Sequence, residues 1–203
     1  MKLYHCVGAR SFRCLWALEE LGADYELETL PFPPRVFAKP YKEINPLGTI
    51  PALVDGELTM TESVAICQYV AEKFGPSDLA VRQEEEAYGE YLNWLYRADA
   101  TLTFPQTIFF RYTQLEPEER RQPQVAEDYR NWFLARWRCV ESALETRDYL
   151  CADRFTMADI CVGYALKFAL VLGIEEARTP KAGEWWDRIT AREGYQRAIK
   201  IDG

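Results

Sequence analysis

The sequence holds a single histidine, His5, and that scarcity excludes several chemistries at once. A multi-histidine zinc site cannot be built from one ring, and any Ser/His/Asp or Cys/His mechanism would have to run through it. Basic charge is also short: 24 Lys and Arg face 32 Asp and Glu, a formal net charge of -8. Such a balance lacks the broad positive field that nucleic acid or an anionic membrane surface asks for, so neither is expected as a partner. No C-x-x-C pair occurs among Cys6, Cys14, Cys67, Cys139, Cys151 and Cys161. Most of these fall within hydrophobic periodic segments, so reduced, buried thiols are expected, with neither a disulfide framework nor a metal. Long hydrophobic runs are missing too. The most apolar stretch, Ile160 to Ile174, is interrupted by Lys167 and is too short to cross a bilayer, so it reads as a core helix. Met1 leads straight into an alternating strand pattern with no signal or transit-peptide character, and a cytoplasmic location is expected.

What is present falls into two unlike halves. Seven of the eleven prolines lie in the first 76 residues and five of the six tryptophans after residue 90, which marks a shift of composition. In the first half, Lys2 to Val7 reads as a strand, Ser11 to Leu21 as a helix closed by Gly22, and Tyr25 to Leu30 as a second strand. That order predicts a parallel βαβ unit. Pro31 to Pro40 reads as a loop. Pro51–Val54 and Glu57–Met60 flank Asp55-Gly56, a hairpin signal, and a helix is expected from Thr61 to Phe74, ended by Gly75-Pro76. The βαβ-ββα order is that of a thioredoxin-like domain, assigned to residues 1–78. A polar linker follows, and residues 83–203 read as an all-helical domain, so the fold class is α/β plus all-α. Its helices include one from Arg82 to Tyr112 with a bend at Pro105, and a long amphipathic one through Leu144. Phe155-Thr156-Met157-Ala158-Asp159-Ile160 predicts a capping box between Thr156 and Asp159 at the start of the core helix.

Three segments of the first half converge at one edge of such a sheet: Gly8-Ala9-Arg10-Ser11, Asn45 to Pro51, and Thr61-Glu62-Ser63. An Asn-Pro, a glycine and then Pro51 before an apolar strand predict a constrained loop with a cis Ile50–Pro51 bond. Ile50 would then offer its main-chain groups to an extended peptide. Glu62 and Ser63 open a helix whose N-terminal amides can hold a carboxylate, Ser63 adding a hydroxyl donor and Glu62 an anion for an amine. Together they fit an amino-acid-shaped ligand.

With these segments in place the sequence resembles the cytosolic glutathione transferases, of bacterial type, over essentially its whole length. The resemblance rests on Lys2-Leu3-Tyr4, the run Ser11 to Gly22, Asn45 to Leu53, Thr61 to Ile66, and Phe155 to Asp159. It implies a homodimer that takes glutathione as co-substrate. Thr49, Ile50 and Pro51 would hold the cysteinyl backbone, and Glu62 and Ser63 the γ-glutamyl end. A small, mostly apolar electrophile would lie between the domains, against Phe104, Ile108, Arg111 and Tyr112. Asp99 would reach a neighbouring subunit's ligand.

At the catalytic position this sequence departs from the family. The family's serine place falls on Gly8 or Ala9 and its cysteine place on Arg10, so neither hydroxyl nor thiol is there. Ser11 is the nearest hydroxyl and is expected as thiolate donor with Arg10 as electrostatic partner; a plain N-cap is the competing role for Ser11, and Tyr4 and His5 are reserves. Two other readings share the scaffold. One is a glutathione-binding protein without catalysis. The other is a thiol-disulfide oxidoreductase, which needs a nucleophilic cysteine at the first turn, where Cys6 and Cys14 do not sit.

Overall fold

A buried strand needs partners on both edges to satisfy its main chain. In the computed structural model, which describes residues 1–203, β1 (Lys2–His5) has both. It runs parallel to β2 (Glu26–Thr29) on one edge and antiparallel to β3 (Ala52–Asp55) on the other. β4 (Leu58–Met60) then pairs antiparallel with β3 across the Asp55-Gly56 turn, giving the order β2-β1-β3-β4. The strand–helix–strand order and the D-G signal are therefore realised as expected. Period-two alternation sends Leu3 and His5 to one face of the sheet and Tyr4 to the other. Tyr4 meets the Tyr41 ring there, centroids 5.4 Å apart, beside Ala52.

α1 (Ser11–Leu21) buries Phe12, Leu15, Trp16 and Leu18, and Gly22 closes it in the left-handed conformation at φ 59°. The Gly22 and Ala23 N–H groups cap its last carbonyls. The stretch from Pro31 to Pro40, expected as a loop, contains a short helix, α2 (Pro34–Phe37), and then a 3₁₀ segment from Lys39 to Glu43. The physical reason is positional: Pro34 occupies the first helical place, where a missing N–H and a fixed φ suit a helix. α3 (Ser63–Lys73) buries Ile66, Cys67, Val70 and Ala71.

The helical half starts later than its periodicity suggests. α4 (Tyr88–Tyr96) runs into a π-helical segment, Arg97–Thr103, followed by α5 (Phe104–Phe110) and a second π-helical segment, Arg111–Leu115. The single bend expected at Pro105 is thus replaced by wide turns on either side of α5. Pro105 brings no N–H to the ladder, and the Thr103 hydroxyl donates to the Ala98 carbonyl at 2.7 Å just before it. α6 (Pro123–Leu144) buries Phe133, Trp137, Val140 and Leu144 along one stripe. α7 (Met157–Val171) is buried on nearly every side and opens on the expected capping box. The Thr156 hydroxyl accepts from Ala158 N–H, and Asp159 accepts from Thr156 N–H at 2.9 Å. Asp159 also takes the Trp185 Nε1–H of α8 (Pro180–Thr190), at 2.9 Å, and the Leu150 N–H, at 3.1 Å. No helix is long and apolar enough to cross a membrane.

The last helix, α9 (Glu193–Asp202), belongs with the first half. The chain forms two compact units, residues 1–80 with 190–203, and residues 81–189. Sequence alone grouped 190–203 with the helical domain; aromatic packing on α1 accounts for the difference. Tyr195 lies edge-on to Trp16 at 4.9 Å and to Phe12 at 5.8 Å. Arg192 grips both oxygens of Glu20, which also accepts from Trp16 Nε1. Gly194 leaves room for this contact, since a Cβ there would lie 2.5 Å from Glu20 Cδ and displace that side chain.

Candidate functional site

The loop ahead of β3 is organised by one buried amide. Asn45 Nδ2 donates to the Thr49 carbonyl at 2.9 Å and to Thr49 Oγ1 at 3.0 Å, while its Oδ1 accepts from Leu47 N–H at 3.1 Å. The Tyr41 hydroxyl donates to the same Thr49 carbonyl at 2.7 Å. Gly48 at φ 62° allows the turn, and a Cβ there would strike Arg35 Cβ at 2.7 Å. The Ile50–Pro51 bond is cis. Ile50 lies beyond the end of the β3 ladder, and its N–H and C=O join none of the turn or ladder hydrogen bonds. Pro51 is buried, Ile50 half-buried and Thr49 exposed.

At the opening of α3, Glu62 is the exposed N-cap and Ser63 is buried behind it. The helix geometry leaves the N–H groups of Ser63, Val64 and Ala65 without intrahelical acceptors. Ser63 Oγ accepts from Arg13 Nη1 at 3.0 Å, and Arg13, on α1, is wholly buried. A guanidinium has donors only, so the Ser63 hydroxyl proton stays available to an acceptor in front of it. Sequence reading gave Arg13 no role and used Asn45 only as part of a loop signal. Arg13 looked like one more polar residue of α1; Asn45 carried a legible signal, an Asn before proline at a turn.

The first turn differs from the expectation in one respect. Arg10 is the N-cap residue of α1 and is half-exposed, whereas Ser11 is fully buried. Ser11 Oγ lies 2.9 Å from His5 Nδ1, accepts from Cys6 N–H at 3.2 Å and reaches the Cys6 carbonyl at 3.3 Å. A hydroxyl so engaged, with no exposed surface, does not face a ligand. Tyr4 is on the opposite face of the sheet. Cys6 and Cys14 are buried, and burial pushes the Cys6 thiol up to about 11, far from the thiolate that disulfide exchange requires. No group of three or more His, Cys, Asp or Glu is arranged to hold a metal ion.

In the second unit, Ile108 and Tyr112 are four residues apart and half-buried. Arg111 is exposed and ion-paired to Glu116 at 2.8 Å, its guanidinium beside the Tyr112 ring. Phe104 packs edge-on to Tyr129, centroids 6.4 Å apart, and Tyr129 stacks on Trp132, so Phe104 belongs to an aromatic patch shared with α6. Asp99 is half-buried within the first π-helical segment.

Known proteins resemble this chain in sequence and in fold. The family model described as "Glutathione S-transferase, N-terminal domain" matches residues 1–72, and that described as "Glutathione S-transferase, C-terminal domain" matches residues 107–193. Glutathione S-transferase 1 of Zea mays is 44% identical over 212 residues, covering 99% of this chain and 96% of its own. Among solved structures, a ternary complex of BphK, a bacterial GST, superposes with a TM-score of 0.89 at 28% identity, covering 100% of both chains. A sphingomonad glutathione S-transferase complexed with glutathione gives a TM-score of 0.88 at 26% identity, covering 100% of this chain and 99% of its own. The chain is therefore a member of the glutathione S-transferase family of enzymes.

Proposed function

We propose that the chain binds glutathione along Thr49, Ile50, Pro51, Glu62 and Ser63 and activates its thiol for attack on a small, mostly apolar electrophile. The observation that carries the reading is Ser63, whose hydroxyl is held from behind by a buried guanidinium at the open end of α3. A γ-glutamyl carboxylate placed there accepts from that hydroxyl and from the α3 amides, while Glu62 takes the ammonium. The Ile50 main chain pairs with the cysteinyl residue as one more strand would.

The sulfur is assigned to the opening of α1. Arg10 supplies a permanent cation and the helix its N-terminal amides, and both favour thiolate over thiol. Ser11 acts from inside, bracing the turn. The thiolate then forms the S–C bond as the electrophile's leaving group departs with its electron pair, or as the acceptor carbon takes up the charge.

A glutathione titration followed at the ultraviolet absorbance of the thiolate, repeated across pH, tests the reading. Bound thiol is expected to ionise below the value of about 8.5 usual for a free cysteine thiol. Binding with no thiolate and no turnover of any electrophile would instead indicate a binding protein. Ser63→Ala is expected to weaken glutathione binding about ten- to a hundredfold, the cost of a hydrogen bond to a charged group.

We also propose that the protein works in the cytoplasm as a homodimer. Phe104 and Trp132, joined through Tyr129, are each at least half exposed, an aromatic patch of the kind subunits cover. Sedimentation at micromolar concentration is expected to show twice the chain mass of 23.6 kDa; a single-chain species would count against it.

A further inference from the structure

The first turn is tied to a residue nearly two hundred positions away. At the end of α9, the Asp202 carboxylate accepts from the Gly8 N–H at 2.9 Å through Oδ1. The same oxygen lies 3.1 Å from His5 Nε2, in contact but outside hydrogen-bond geometry. His5 Nδ1 continues to Ser11 Oγ, and Ser11 Oγ to the main chain of Cys6. His5 and Ser11 have no exposed surface and Asp202 has 2%. Carboxylate, imidazole and hydroxyl follow one another in the order of a hydrolytic triad, yet the hydroxyl is sealed, so nucleophilic chemistry is closed to it.

What remains is a brace on both ends of the turn. Gly8 sits at φ 69° at its tip, next to Val7, which is 58% exposed, and has no side chain to anchor it. Ser11 is the first residue of α1. Between them lie Ala9 and Arg10, the segment to which the glutathione sulfur has been assigned.

We propose that Asp202 is a positioning residue for thiol activation, acting through the Gly8 N–H and through His5 and Ser11 to hold Arg10 and the opening of α1 in register with the sulfur. The inference rests on the reading of the first turn as the thiolate site. Glutathione itself is held by the β3 and α3 ends of the site, which Asp202 does not touch. Loss of the carboxylate should therefore act on the reacting step and little on binding.

Asp202→Ala and Asp202→Asn, assayed beside the wild type, provide the test. In the alanine variant kcat for conjugation is expected to fall about ten- to a hundredfold, the scale of a misplaced reacting group. The pH profile of bound thiolate should move upward, while KM for glutathione changes less than about threefold, separating the reacting step from binding. Asparagine keeps an oxygen acceptor for Gly8 and should restore most of the rate. Folded Asp202→Ala with wild-type kcat and thiolate profile overturns the proposal, as does an asparagine variant impaired as badly as alanine. Should the alanine variant not fold, amide exchange in the wild type decides: Gly8 is expected to be protected, and exchange at the rate of an open loop refutes the brace. A wild type that forms no thiolate would refute the underlying reading instead, whatever the variants do.

Discussion

Asp159→Ala is expected to destabilise the second unit by about 3–5 kcal/mol, the range for leaving several buried donors unpaired. Its carboxylate accepts from Trp185 Nε1, Thr156 N and Leu150 N, and is fully buried. Alanine would strand three donors that water cannot reach and remove half of the capping box of α7. Loss on this scale lowers a thermal midpoint by roughly 10 °C in a chain of this size. Five of the six tryptophans lie in this unit, so their fluorescence reports its unfolding directly. The wild type should also carry a pH signature here. Burial pushes the Asp159 carboxyl up to about 6 from an ordinary 3.8, against the pull of its hydrogen bonds. Between those values the folded state holds more protons than the unfolded chain, so this group's contribution weakens as pH rises through that window. Asp159→Asn should lack that slope; an unchanged slope would assign it to another group.

Arg13→Leu should have the largest effect on ligand binding. The guanidinium is fully buried and donates to Ser63 Oγ, whose proton, in the proposed function, goes to the γ-glutamyl carboxylate. Leucine keeps volume but removes both the donor and the positive charge behind the site. We expect glutathione affinity to fall by about 2 kcal/mol or more, roughly thirtyfold or beyond, as for other partners of a charged ligand group. Arg13→Lys should rescue little, since a point charge on a flexible stem does not reproduce the planar fork. Calorimetric titration of both variants checks this, and near-wild-type affinity in Arg13→Leu would remove the guanidinium from the binding mechanism.

The contrast between these two residues shows what the sequence makes legible. Asp159 sits at a fixed offset from Thr156, and a capping box is a local pattern that needs no knowledge of the rest of the chain. The succession of strands and helices in the first half was legible for the same reason, since Gly22, Asp55-Gly56 and the alternating strands act over a few residues. Arg13 acquires its meaning from Ser63, fifty positions on, and Asp202 from Gly8, still farther. Neither spacing leaves a trace in periodicity. Ser11 shows the limit from the other side: its place at a helix start suggested a hydroxyl facing a ligand, but helix phase and the His5 side chain turn it inward. The start of α4 was missed because Arg82 to Ala87 share the composition of the helix without its hydrogen-bond ladder. The π-helical turns around Pro105 depend on where Thr103 donates, which composition does not encode.

The buried cysteines carry a consequence for a protein that handles a thiol cofactor. A glutathione site meets both the reduced tripeptide and its disulfide; exchange with the disulfide demands a thiolate on the protein, and exchange with the reduced form demands a protein disulfide. Five of the six cysteines are buried and the sixth, Cys139, is half-buried with its thiol pushed up by burial. In the proposed reaction the sulfur that reacts is therefore the ligand's own. On the proposed reaction, oxidation of glutathione would lower the supply of the reacting thiol, while the buried cysteines offer its disulfide no exposed thiolate to attack it.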